Sequence, residues 1–261
     1  QLDGRHGEVS QQRSVGVAPE VRPGRGAEVL LADLGGRRLK LARAAETGIS
    51  PVHSRVWPDE PGEAEFAWLE EQRQNEALLL SSTRPAALRA LADHLGASLR
   101  EVRPEEVPLE RSTTGTGSDR LLAALAAHRR AGGAALVADL GTAWTLDCVD
   151  ARPCFRGGAI GAGLGVQEGA LAAACPHLDP PAADDPAVIP ASTAAAVRAG
   201  TALALAAAID ALAQRWEQEL DAPTARYLTG GDADRLQPLM DPRWQRGEDL
   251  VLLGLAELAR R

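Results

Sequence analysis

The sequence predicts an α/β fold of two duplicated lobes, each a mixed sheet flanked by helices, with a cleft between them. Three observations carry this expectation. The segment Val29-Leu30-Leu31-Ala32-Asp33-Leu34-Gly35 recurs as Ala135-Leu136-Val137-Ala138-Asp139-Leu140-Gly141. Each copy is an apolar strand closed by an acid and a glycine turn, and each is followed by a second apolar strand, Leu39–Ala44 or Trp144–Val149. Strands then alternate with helices along the remaining chain, as in layered α/β proteins. The two copies stand a domain length apart, which fits duplicated lobes rather than a solenoid of short repeats.

The elements follow in order. Residues 1–28 are polar and contain Gly, Arg and Pro, so a disordered or loosely packed extension is expected there. The N-terminal lobe is expected over residues 29–131 and the C-terminal lobe over 132–261. In the first lobe the hairpin leads to a strand at Ala77–Leu80, a helix from Pro85 to Leu95 and a strand at Ser98–Val102. Helix Asp119–Arg130 carries Leu121, Leu122, Leu125 and His128 on one stripe, and Gly132-Gly133 stops it. In the second lobe Gln167–Ala174 and the Ala-rich Thr193–Leu220 read as helices, separated by a Pro/Asp loop, Cys175–Ile189. Arg226–Leu228 is a short strand running into Thr229-Gly230-Gly231, and Asp249–Ala259 is a closing helix.

Composition excludes several classes of function. Aromatic residues make up only 3% of the 261 residues, so Ala, Leu and Val must fill the core. A formal charge of −8 argues against nucleic acid or an anionic membrane as partner. No run of about 18 apolar residues suggests a transmembrane span, and the polar N-terminus has no apolar core of a secretory signal. Cys148, Cys154 and Cys175 are odd in number and lack CxxC spacing, which points to reduced thiols in a cytoplasmic protein.

A strand that ends in Asp before a glycine turn suits phosphate and Mg²⁺: glycine lets backbone N–H groups approach phosphate oxygens, and the carboxylate holds the metal or its waters. A plain hairpin turn is the other reading of one such segment. Two matched copies, with Thr229-Gly230-Gly231 as a third glycine turn, resemble the phosphate clamp of actin-like (ribonuclease H-like) kinases.

The order of motifs narrows the resemblance. Asp33-Leu34-Gly35 with Lys40 is followed by Gly117-Ser118-Asp119-Arg120, then by Asp139-Leu140-Gly141-Thr142-Ala143-Trp144-Thr145-Leu146-Asp147. Gly157-Gly158-Ala159-Ile160, Thr193 to Gly200, Leu228-Thr229-Gly230-Gly231 and Leu252-Leu253-Gly254-Leu255 complete the series. Over about residues 29–261 the chain resembles the type III pantothenate kinases, which include the Bvg accessory factors. The resemblance implies ATP-dependent phosphorylation of pantothenate to 4'-phosphopantothenate, the first step of coenzyme A synthesis, by a cytoplasmic homodimer.

It also implies site roles. Asp119 matches the general base; as a residue at a helix start it also has a purely structural reading. Gly117, Ser118, Arg120 and Thr193 match the pantothenate side, with a helix N-cap as the other reading of Thr193. Asp33, Gly35, Gly36, Lys40, Gly141 and Thr142 match the phosphate loops, and Gly230 and Gly231 approach the adenosine. Asp33 would stand near Mg²⁺, and Asp139 would hold a monovalent cation, K⁺ or NH₄⁺. Helix Asp119–Arg130 and the long Ala-rich helix are candidate subunit contacts.

Three positions depart from the family pattern. Gly36-Arg37 replaces a polar pair in the first loop, Glu110 falls about where the family has Tyr, and Ala162 replaces a Pro. The departures give a second reading, a non-catalytic or weakly active homologue acting as an accessory or regulatory protein.

Overall fold

The computed structural model describes residues 29–182 and 189–261; the expected N-terminal extension, and residues 183–188 of the Pro/Asp loop, lie outside them. The first half contains β1 (Val29–Leu34), β2 (Arg38–Arg43), β3 (His53–Val56), α1 (Glu63–Arg73), β4 (Ala77–Ser82), α2 (Pro85–Leu95) and β5 (Leu99–Glu101). Then come β6 (Glu110–Arg111) and α3 (Ser118–Ala131). The second half contains β7 (Ala135–Leu140), β8 (Ala143–Val149), β9 (Cys154–Ala162), α4 (Leu164–Ala174), α5 (Thr193–Arg198) and α6 (Ala204–Leu220). It closes with β10 (Ala225–Thr229), α7 (Ala233–Leu236), β11 (Trp244–Arg246) and α8 (Leu250–Ala259).

The strand order states the duplication directly. The first sheet runs β3-β2-β1-β4-β5, and the second runs β11-β10-β7-β8-β9-β6. Without its edge strand β6, the second is the first repeated: β9-β8-β7-β10-β11. In each, two antiparallel pairs lead into two parallel ones. The expected pair of mixed α/β lobes is therefore what forms.

Side-chain alternation decides where the acids point. Along β1, Leu30, Ala32 and Leu34 belong to a cluster with Trp57, Leu69 of α1 and Leu91 of α2, on the outer face. Leu31 belongs instead to the cluster built on α3 and α8. Successive strand residues face opposite sides, so Asp33 shares the face of Leu31. In β7, Leu136, Ala138 and Leu140 pack outward with Ile209 of α6, while Ala135 and Val137 face α3 and α8. Asp139 thus lies on the inner face of its sheet, as Asp33 does on its own.

The helices α3 and α8 fill the space between the sheets. Nine residues of α3 are buried, Leu121 to His128 among them, so the helix is packed on all sides rather than along one stripe. Most of α3 is thus spent on packing against α8 and β7, and Arg129 and Arg130 near its end stay exposed. Small residues permit the close approach: a Cβ on Gly254 of α8 would collide with the Leu122 carbonyl of α3. Gly132 at φ 66° ends α3, as the sequence indicates.

The Ala-rich segment forms one helix of 28 residues with a π turn at Ala199–Leu203. By length and composition it could cross a membrane, with mean hydropathy 1.5. Arg198 and Asp210 interrupt it, however, and Leu205, Ala206, Ile209 and Ala213 pack into the second core, so it reads as a domain helix. Its N-cap is Ser192, whose Oγ accepts from the Ala195 N–H at 3.2 Å. Thr193 is the first helical residue, not the cap.

Candidate functional site

Both acids stand at the carboxyl ends of the central strands, where open α/β sheets bind ligands. Asp33 is paired across the hairpin with Lys40 and, on its other side, with Ser81 of β4. Asp139 is paired with Thr145 and with Thr229 of β10. The glycine turns close by Gly35 N–H to Arg38 O at 3.1 Å and Gly141 N–H to Ala143 O at 3.2 Å. The turns also meet: a Cβ on Gly36 would sit 2.9 Å from Thr142 Oγ1. The Thr142 hydroxyl therefore fills the space of the side chain that the first loop lacks. The third turn packs under the second, since a Cβ on Gly230 would lie 2.5 Å from Asp139 Oδ1 and from the Leu140 backbone. Gly230 has φ 95°, a conformation open to glycine and strained for other residues.

The start of α3 is fastened to both lobes. Gly117 is its N-cap. Ser118 Oγ lies 3.0 Å from Ser81 Oγ on β4, a buried contact. Arg120 reaches β8, where its Nε donates to Asp147 Oδ1 at 2.9 Å, with its guanidinium over the Phe155 ring. Thr145 Oγ1 donates to the other Asp147 oxygen at 3.2 Å. Asp119 is half-buried between these two attachments.

The three carboxylates share one electrostatic field. Burial pushes Asp33 up to about 7; Lys40 opposes the shift, while Asp139, Asp119 and Asp249 add to it. Asp139 is pushed up to about 6 by burial, against Lys40 and with Asp119. Burial also raises Asp119, which is partly offset by N–H donation from Arg120 and by its charge. All three remain half-buried, partly open to solvent. Asp33, Asp119 and Asp139 thus converge, with Lys40 as the nearby cation. Lys40 is itself held by Asp249 at 2.8 Å.

Asp33 neighbours Lys40, Gly36 meets Thr142, and Gly141 and Gly230 lie against Asp139, with Asp119 within electrostatic reach of both acids; Gly35, Ser118, Arg120 and Gly231 adjoin them in sequence. Thr193 is exposed at the start of α5, and no contact links it to the acids among the described residues. Glu110, on β6, lines a separate cavity of about 440 Å³ with Ser112, Asp150, Arg152, Cys154 and Arg156. That cavity lies at the β6–β9 edge and includes none of the acids.

Sequence reasoning did not single out Asp249, Ser81 or the pairing of Asp147 with Arg120. The only available hint was position: Asp147 closes the second motif, and Asp249 opens the last helix.

The donor set suits a hard cation. No three His, Cys, Asp or Glu side chains enclose a metal site among the described residues. Mg²⁺ commonly takes one or two carboxylates and completes its shell with water and phosphate oxygens. Asp33, with its excess of nearby negative charge, fits that use.

Comparison with known proteins shows the family. A family model described as type III pantothenate kinase matches residues 30–215. A type III pantothenate kinase of Alkalilimnicola ehrlichii is 36% identical over 88% of this chain and 97% of the relative. One from Chromobacterium violaceum is 33% identical over 88% of this chain and 98% of its own length. Among solved structures, a Baf family protein from Campylobacter jejuni superposes with TM-score 0.57 at 18% identity, covering 88% of this chain and 97% of that one. Component A of (R)-2-hydroxyglutaryl-CoA dehydratase from Acidaminococcus fermentans has TM-score 0.54 at 12% identity, covering 90% and 96%. These two likenesses concern the fold alone.

Proposed function

Because the chain belongs to the type III pantothenate kinase family, we propose that it transfers the ATP γ-phosphoryl group to the terminal hydroxyl of pantothenate, giving 4'-phosphopantothenate and ADP. The convergence of Asp33, Asp119 and Asp139 beside Lys40, at the strand ends of two duplicated lobes, is the observation that carries this reading.

Each group has a task in an in-line transfer. Asp119 accepts the hydroxyl proton as the new O–P bond forms and the bond to the ADP oxygen breaks. Burial raises its affinity for a proton, which makes it a better base than an ordinary carboxylate. Arg120, locked by Asp147, presents a fixed guanidinium to an anionic or polar part of pantothenate. Lys40 and the Thr142 hydroxyl face the phosphates, and the N–H groups of the glycine turns approach them. Asp33 would hold Mg²⁺, which when bound neutralises phosphate charge. Asp139 would serve the monovalent cation, K⁺ or NH₄⁺. Gly230 and Gly231 leave room for the adenosine, and Thr193 is assigned to the pantothenate side by motif alone.

We further assign the enzyme to the cytoplasm as a homodimer. Exposed apolar residues support the dimer: Ile160, Val166 and Leu203, on β9, α4 and the π turn, are 62%, 40% and 41% accessible.

The test is ADP release in a coupled assay with ATP, Mg²⁺, K⁺ and pantothenate. Turnover that depends on pantothenate is expected. Turnover no greater than the pantothenate-free background would end the kinase reading. It would leave the weakly active or accessory homologue that Gly36-Arg37 favours.

A further inference from the structure

Lys40 makes a choice of partner that its position in the sheet does not explain. It stands directly across the β1–β2 hairpin from Asp33, on the same face. Among the described residues, however, its ion pair is with Asp249, 209 positions away, at 2.8 Å, and none forms with Asp33. Asp249 is the N-cap of α8, a place where Asp ordinarily accepts from the first free helix N–H groups. Here its side chain makes no capping bond, and its backbone is left-handed, with φ 50° and ψ 37°. The residue thus gives up the usual stabilisation of a helix start and adopts a conformation uncommon outside glycine. The carboxylate is turned to Lys40 instead.

We propose that Asp249 is a positioning residue for phosphoryl transfer: it draws Lys40 off Asp33, so that the ammonium is held toward the phosphates and the Asp33 carboxylate stays open for the metal. The argument rests on the kinase reading above. A lysine is a point charge on a flexible four-carbon stem. Without an anchor, the acid directly across the hairpin is an available partner. An ion pair there would remove both the cation meant for phosphate and the oxygen ligand meant for Mg²⁺. The same contact ties β2 of the first lobe to the N-cap of α8, the helix between the sheets.

The test is titration calorimetry of Mg·ATP, without pantothenate, on Asp249→Asn, Lys40→Met and the double variant. Asn caps helices as well as Asp and tolerates the left-handed conformation, so Asp249→Asn removes the charge and keeps the local structure. Its melting temperature should fall by no more than a few degrees, the scale of losing one partly exposed ion pair. Its affinity for Mg·ATP should fall by about tenfold, the weight of one charge-assisted contact, and its half-saturating Mg²⁺ concentration should rise. On the Lys40→Met background the same substitution should change affinity by less than about twofold. Unchanged or tighter binding in Asp249→Asn overturns the proposal. So does an equal loss on the Lys40→Met background, because the effect would then not pass through Lys40. If the parent protein itself binds no Mg·ATP, the kinase reading fails instead.

Discussion

The two Asp–Gly hairpins share one backbone and differ in what surrounds the acid. Asp33 faces a lysine across its hairpin and a serine on the parallel side, while Asp139 faces two threonines. The first turn is open at Gly35, where nothing lies nearer than 3.9 Å to an added Cβ, and meets Thr142 only at Gly36. The second is packed from below by Gly230 at φ 95° and is pinned by the bond from Gly163 N–H to Thr142 O at 2.9 Å. The two lobes therefore hold equivalent carboxylates that their neighbouring side chains make unequal. One sits beside Lys40, a cation that Asp249 holds at 2.8 Å, as suits a metal–phosphate site that must admit ligand. The other is flanked by two hydroxyl side chains on a turn packed from below, with Lys40 acting on it as well.

Breaking the point that both lobes share should have the largest effect. Asp119→Asn is expected to lower kcat by about 10²–10⁴-fold, the usual contribution of a positioned base, with Mg·ATP affinity nearly unchanged. Steady-state kinetics and calorimetry together check this, and a near-parental rate would show that Asp119 is only a helix residue.

The rigidity of the second turn comes next. Gly230→Ala must place a methyl 2.5 Å from Asp139 Oδ1 and the Leu140 backbone at a strained φ. A loss of about 2–3 kcal/mol is expected. Denaturant unfolding measures it, together with weakened nucleotide binding.

The unequal acids can then be compared by charge removal. In the ligand-free protein both are raised above the ordinary carboxylate value of 3.8, Asp33 to about 7 and Asp139 to about 6. A folded state that binds protons more tightly than the unfolded chain loses stability as pH rises. The loss should span about pH 4 to 7 for Asp33 and end about one unit lower for Asp139. At pH 8, Asp33→Asn should stabilise the ligand-free protein by on the order of 1–2 kcal/mol, after allowance for its partial exposure. Asp139→Asn should do so by less. Melting curves between pH 4 and 8 without nucleotide or Mg²⁺ would reveal the order, and a reversed order would contradict the contrast drawn between the lobes.

The smallest effect belongs to the first turn: Gly35→Ala has open space and an ordinary φ, so its stability change should be within about 0.5 kcal/mol.

Most of the fold could be read from the chain, and particular failures show where reading stops. The repeated strand–Asp–Gly segments, helix Pro85–Leu95 and the ends of α3 needed only local pattern. Strand β9 was missed because Cys154–Ala162 carries Gly157, Gly158 and Gly161, which look like turn residues in isolation. Its glycines are explained by neighbours: a Cβ on Gly161 would strike the Trp144 ring, and one on Gly158 would strike Leu146 O and Asp147. Strands β3 and β11 are only four and three residues long, too short for alternation to show. Helix α1 is nearly half charged and buries only Leu69 and Arg73, so it carries little apolar period.

By itself the sequence determined the duplication, the alternation that turns Asp33 and Asp139 to one face of their sheets, and the motif order that identifies the family. These follow from local rules: strand period, glycine turns and residue spacing. The tertiary structure decided which groups meet. Lys40 pairs with Asp249 across 209 residues, Arg120 with Asp147, and Thr142 fills the space left by Gly36. Such contacts depend on how two sheets close around α3 and α8, and no local pattern encodes the distance between residues that only packing brings together.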